Sequence, residues 1–95
     1  MDALKTPRYT CPVCGFTRLT EEPRSPRTGA GSYEICPSCG FQFGVTDDDL
    51  GFTYEEWRRR WIERGMPWDS EGVEPEPDGW NPAQQLRDLV ETESR

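Results

Sequence analysis

Two copies of one hexapeptide carry the chemistry of this chain. "CPVCGF" runs from Cys11 to Phe16 and "CPSCGF" from Cys36 to Phe41, and the sequence holds no other cysteine. Two residues between paired cysteines let the backbone turn tightly, so that both sulfurs face one point. A second such turn opposite the first places four thiolates around a tetrahedral centre at about 2.3 Å, the arrangement that zinc takes in structural sites. The gap from Cys14 to Cys36 is 21 residues, slightly beyond the roughly 15–20 usual for this pattern. Pro12 and Pro37 stiffen the turns. Gly15 and Gly40 can adopt positive φ, and they are expected to aim backbone N–H groups at the sulfurs as outer supports of the site. Cys11, Cys14, Cys36 and Cys39 are therefore the metal ligands this reading assigns. Zinc is the expected cofactor and iron the alternative. Four protein ligands leave no open coordination position, so the metal is expected to be structural rather than catalytic.

Other chemistries find less support. Two disulfides would suit an oxidising compartment, but "MDALKTPRYT" lacks the apolar run of a signal peptide. A thioredoxin-like redox pair would place one CxxC at the start of a helix, whereas both pairs here lead into Gly-Phe. Histidine is absent, which removes the usual general base near neutral pH and any Ser/His/Asp set. Asp47, Asp48 and Asp49 lack the spacing of a calcium loop and read as acids favoured ahead of a helix N-terminus. There is no Gly-rich phosphate loop. The chain is read as a non-enzyme.

Composition sets further bounds. The 95 residues are 33% hydrophobic and 31% charged, and a domain of this size buries only roughly 60–65% of its unfolded surface. So thin a core calls for a staple, and the cysteines are the only candidates. The formal net charge is −7; four thiolates and one divalent ion would make it about two units more negative. Such a surface repels phosphate backbones. Nucleic-acid binding would need a local basic patch, with Lys5, Arg8, Arg18, Arg24 and Arg27 the candidates. No stretch is long enough to span a bilayer, and the expected location is the cytoplasm.

The elements that must position the cysteines divide into a metal-binding part at residues 8–44 and a Trp-rich helical extension at 45–95, together one domain. Short β-prone pieces at Arg8–Thr10, Phe16–Leu19, Ser32–Ile35 and Phe41–Phe43 are expected to pair antiparallel around the two turns. "TEEPRSPRTGAG", from Thr20 to Gly31, reads as a solvated loop. A helix should follow Thr53, which with Glu56 forms a capping box, while Phe52 and Trp57 form a hydrophobic staple. Gly65 and Pro67 end it. Tyr54, Trp57, Trp61 and Ile62 lie on one stripe of that helix. Arg58, Arg59 and Arg60 fan around the cylinder, with Glu55–Arg59, Glu56–Arg60 and Arg59–Glu63 as supporting pairs. Arg58 falls on the apolar side, with its charged end expected to reach solvent, the alternative being contact with an aromatic ring or a hydrogen bond toward the metal-binding part. A second helix should start after Asn81, with Pro82 at its first position and Gln84 closing the box; Leu86, Leu89 and Val90 give its apolar edge. "ETESR" at the end is expected to fray. The four indoles of Trp57, Trp61, Trp68 and Trp80 follow the cysteines. They either cover one face of the metal-binding part or form an interaction surface for a protein partner.

"YTCPVCGF" and "GSYEICPSCGFQFG", followed by acids, resemble the small bacterial cysteine-rich proteins of CPCC type, over residues 9–49. In those proteins the first turn is usually Cys-Pro-Cys-Cys, where this chain has Val13. More distantly, the paired turns resemble rubredoxins, which bind one iron through the equivalents of the four cysteines and carry electrons. The resemblance implies a small metal-stapled α+β fold: a rubredoxin-like zinc ribbon with short antiparallel β, followed by two short α-helices. The function expected is that of a zinc-binding interaction module. Electron transfer through iron, and less directly nucleic-acid binding, are the alternatives.

Overall fold

Each hexapeptide closes into a knuckle through the same pair of backbone hydrogen bonds. The Cys11 N–H donates to the Phe16 carbonyl at 2.7 Å and the Gly15 N–H to the Cys11 carbonyl at 2.9 Å. Twenty-five residues later, Cys36 donates to Phe41 at 2.9 Å and Gly40 to Cys36 at 2.8 Å. Gly15 and Gly40 carry φ of +90° and +82°, a left-handed turn open to glycine at little cost. The computed structural model describes residues 8–70 and 77–93.

The expected antiparallel ribbon does not form. Among the described residues there is no strand, only isolated antiparallel bridges at Tyr9–Leu19, Arg24–Gly31 and Ile35–Gln42. The register explains this. From the Cys11–Phe16 bond to the Tyr9–Leu19 pair, one arm advances two residues and the other three. That extra residue bulges the arm, so a second successive rung is never made. In the second arm pair, Tyr33 has a φ of +66°, which turns the chain out of extended geometry just where pairing would continue. The rubredoxin-like ribbon with short β is thus replaced by two knuckles with single rungs, and the regular structure is two helices.

The loop from Thr20 to Gly31 is tied down rather than simply solvated. The Glu34 carboxylate accepts from the Thr20 and Glu21 N–H groups, both at 3.0 Å. Arg24 donates to the Gly29 carbonyl and reaches Asp47 at 2.8 Å and Asp48 at 2.6 Å. Asp47 in turn accepts from the Gly44 N–H at 2.7 Å. Asp47 and Asp48 therefore anchor this loop through Arg24.

Helix α1 spans Tyr54–Glu63 and helix α2 spans Pro82–Glu93. At the start of α1, Thr53 accepts from the Glu56 N–H at 3.0 Å and the Glu56 carboxylate accepts from the Thr53 N–H at 2.9 Å. Phe52 and Trp57 meet edge to face, 5.0 Å between centroids, completing the staple. At the other end, Gly65 donates to Ile62 and Met66 to Trp61, each at 2.9 Å, the Schellman pattern. In α2, Asn81 accepts from the Gln84 N–H at 3.0 Å. The Gln84 side chain donates to Asp88 and its oxygen accepts from Arg87 rather than from the Asn81 N–H, so the box is half made. The helix continues to Glu93, so the first three residues of "ETESR" are ordered in its last turn; Ser94 and Arg95 lie outside the described residues.

The core mixes both parts of the chain. Phe16, Leu19, Phe41 and Phe43 are buried with Trp61, Trp68, Val13 and the four cysteines. Phe41 packs edge to face on Tyr54 and Trp57, and Phe16 on Trp68, which in turn meets Trp80 edge to face. Each knuckle phenylalanine thus receives its own aromatic cover. Ile62, expected on the apolar stripe, stays 44% exposed. No helix among the described residues is long and apolar enough to cross a membrane.

Candidate metal centre

The two knuckles bring four sulfurs together. Cys11 Sγ lies 3.9 Å from Cys39 Sγ, and Cys14 Sγ lies 3.7 Å from Cys36 Sγ. All four sulfurs fall within 4.8 Å of one another. A tetrahedral ion with metal–sulfur bonds of about 2.3 Å requires sulfur–sulfur edges of about 3.8 Å, so this donor set fits such an ion. The same edges are far longer than a covalent bond of about 2.05 Å between sulfurs. Exposure of the cysteines ranges from 0% to 2%, which leaves no side of the tetrahedron open to solvent. Four sulfur donors suit zinc or iron.

Electrostatics point the same way. Burial pushes the Cys36 and Cys39 thiols well above their ordinary value, and the sulfurs of Cys11 and Cys14 add to the rise. Burial acts on Cys14 too, but hydrogen bonds with Cys11, Cys36, Cys39 and the Ser38 hydroxyl outweigh it and bring that thiol down. Four thiolates this close repel strongly at low dielectric, and a divalent cation at their centre removes the penalty.

The glycines act differently from the sequence expectation. Their N–H groups bond to the Cys11 and Cys36 carbonyls, not to sulfur. The Val13 N–H is the one directed at Cys11 Sγ, at 3.4 Å. The glycines matter for approach as well. A Cβ on Gly15 would sit 2.5 Å from the Gln85 carbonyl oxygen, and one on Gly40 would sit 2.7 Å from the Asp69 carboxylate. Both knuckles are touched directly by the second half of the chain.

That half also satisfies the outward carbonyls of the knuckles. On the first, Arg58 Nε donates to Val13 O at 2.7 Å and its NH2 group to Pro12 O at 2.8 Å, while holding Glu93 at 3.2 Å. Arg58 therefore turns inward instead of reaching to solvent. On the second, Asp69 and Ser70 N–H groups donate to Pro37 O, both at 3.0 Å. The carbonyl of the second cysteine in each knuckle meets a side chain: Gln85 Nε2 donates to Cys14 O at 3.1 Å and Trp57 Nε1 to Cys39 O at 2.9 Å.

The four indoles face inward. Trp61 and Trp68 are buried, and Trp57 and Trp80 are partly buried against the core. Trp61 donates to Pro67 O and Trp80 to Gln85 Oε1. Of the basic residues named as a candidate nucleic-acid patch, Arg24 is engaged by Asp47 and Asp48, and Lys5 lies outside the described residues. Arg60, expected beside Glu56, instead sits over the Phe52 and Trp57 rings at 5.9 and 5.5 Å. Sequence reasoning missed Gln85 and Ser38. The sole textual sign of Ser38 is a hydroxyl where the first knuckle has Val13, and nothing local marks Gln85.

No protein-family model matches the chain, so the CPCC-type resemblance gains no family assignment, and no solved structure matches it. The uncharacterized protein YoaQ of Bacillus subtilis (strain 168) is 32% identical over 71 residues, covering 61% of this chain. The chain spans 60% of that relative's length.

Proposed function

We propose that Cys11, Cys14, Cys36 and Cys39 hold one zinc ion as thiolates, and that the protein is a non-enzymatic interaction module whose metal is structural. The observation that carries this reading is the closure of the site: four sulfurs at tetrahedral spacing, each at most 2% exposed. A closed four-thiolate ion lacks the position at which water or substrate would bind. When bound, the ion supplies charge neutralisation and cross-linking, which joins the knuckles and the aromatic core around them. The net charge of −7 favours a protein partner over a nucleic acid.

The test is metal analysis of the full chain produced with zinc and iron both available. One zinc per chain is expected. One iron per chain with little zinc would transfer the site to electron transfer and end the structural reading. Cys36→Ser should lose most of the metal-derived folding energy, on the order of 10 kcal/mol for sites of this kind. Circular dichroism and melting unchanged from wild type would refute the structural role.

A further inference from the structure

The Gln85 side chain uses every atom of its amide. Nε2 donates to Cys14 O and to Ser38 Oγ, both at 3.1 Å, and Oε1 accepts from Trp80 Nε1 at 3.0 Å. An indole N–H can only donate, so the orientation of the amide is fixed. Ser38 is fully buried. Its oxygen accepts from Gln85 inside the buried site. Cys14 belongs to one knuckle and Ser38 to the other. One α2 residue therefore clasps both knuckles at once, 71 positions beyond Cys14. The backbone of the same residue rests on Gly15.

We propose that Gln85 is a positioning residue for the metal centre: by bridging the Cys14 carbonyl and the Ser38 hydroxyl it ties the docking of α2 to the distance between the knuckles. The proposal rests on the four-thiolate reading above. Outer hydrogen bonds of this kind orient metal ligands, and removing one typically weakens metal binding by roughly 10–100-fold.

Cobalt(II) serves as the probe, since its thiolate charge-transfer absorption reports the sulfurs themselves. The full-length chain, stripped and reloaded with Co2+, is titrated against a competing chelator. Gln85→Leu and Ser38→Ala should each weaken Co2+ binding by about 10-fold or more and shift the charge-transfer band. Because Gln85 and Ser38 share one hydrogen bond, the double variant should be no weaker than the weaker single one. Gln84→Leu, whose amide is directed at Asp88, should leave affinity and band unchanged. Losses that multiply in the double variant would overturn the proposal. So would a Ser38→Ala chain with wild-type band and affinity, and this second variant decides the matter if Gln85→Leu does not fold. A wild-type chain that takes up no Co2+ would sink the four-thiolate reading itself, an outcome distinct from intact binding that ignores both substitutions.

Discussion

An added methyl at Gly15 meets two obstacles, and Gly29 separates them. Both glycines have positive φ, +90° and +76°, yet nothing lies within 4 Å of a Cβ at Gly29. Gly29→Ala should therefore cost only the left-handed term, about 1–2 kcal/mol. Gly15→Ala should cost clearly more, because the Gln85 backbone and the Leu89 side chain must retreat. Denaturant unfolding of the metal-loaded chain measures both, and equal losses would mean that α2 does not rest on the knuckle. The turn glycines are legible in the sequence, since Cys-x-x-Cys-Gly demands a reversal whatever surrounds it. The second reason for Gly15 is not, since its partner is about 70 positions away. Arg58 teaches the same. Its place on the apolar face of a helix is readable, but its partners, the Pro12 and Val13 carbonyls, exist only after the knuckle has folded. Arg58→Lys should destabilise the chain by about 1–3 kcal/mol, because an ammonium cannot reproduce a fork that spans two carbonyls.

The two helices differ in how much of them local sequence determines. Thr53, Glu56, Phe52 and Trp57 lie within six positions, and their contacts follow from helical geometry alone. Thr53→Ala should cost about 1 kcal/mol, read as a lower melting midpoint. The failed strands mark the opposite case. Alternating residue types around each knuckle suggest pairing, but pairing depends on register between two arms, and a one-residue bulge or the left-handed Tyr33 escapes any local pattern. The loop clamp is intermediate, visible as charge but not as contact. Burial alone would raise the Asp47 carboxyl, but the Arg24 guanidinium and the Gly44 and Asp48 N–H groups outweigh it and hold it below its ordinary value. A depressed carboxyl contributes stability above its unfolded pKa of about 3.9 and loses it as pH falls through the folded value. Wild type should accordingly exceed Asp47→Asn in stability at pH 6, with the difference shrinking below about pH 4. A difference that stays constant across that range would show the clamp to be neutral packing. Comparing two chains with the same cysteines cancels the acid sensitivity of the metal site.

For the whole molecule, the indoles connect the metal to an optical signal. Trp57 donates to Cys39 O, and Trp80 reaches Cys14 O through Gln85. Excess chelator at neutral pH should shift tryptophan emission to the red and abolish near-ultraviolet dichroism. Helix content should fall with them, because a helix as short as the 10-residue α1 is marginal without tertiary support. Emission unchanged after metal removal would show that the aromatic core stands alone. The need for a staple is legible from composition, and so is its location. The manner of covering is not, because it arises from contacts between distant parts of the chain. One asymmetry has a practical meaning. The four sulfurs treat the knuckles as interchangeable, but the rest of the chain does not: an arginine fork seats the one with Val13, the Trp57 indole and two backbone amides seat the one with Ser38, and Gln85 spans the two. Exchanging the two hexapeptides alters only positions 13 and 38, so the donor atoms and the backbone carbonyls held by Arg58 stay in place while the buried hydroxyl that Gln85 grips is lost. The repeat is keyed by a single buried hydroxyl, and one residue decides which copy α2 reads.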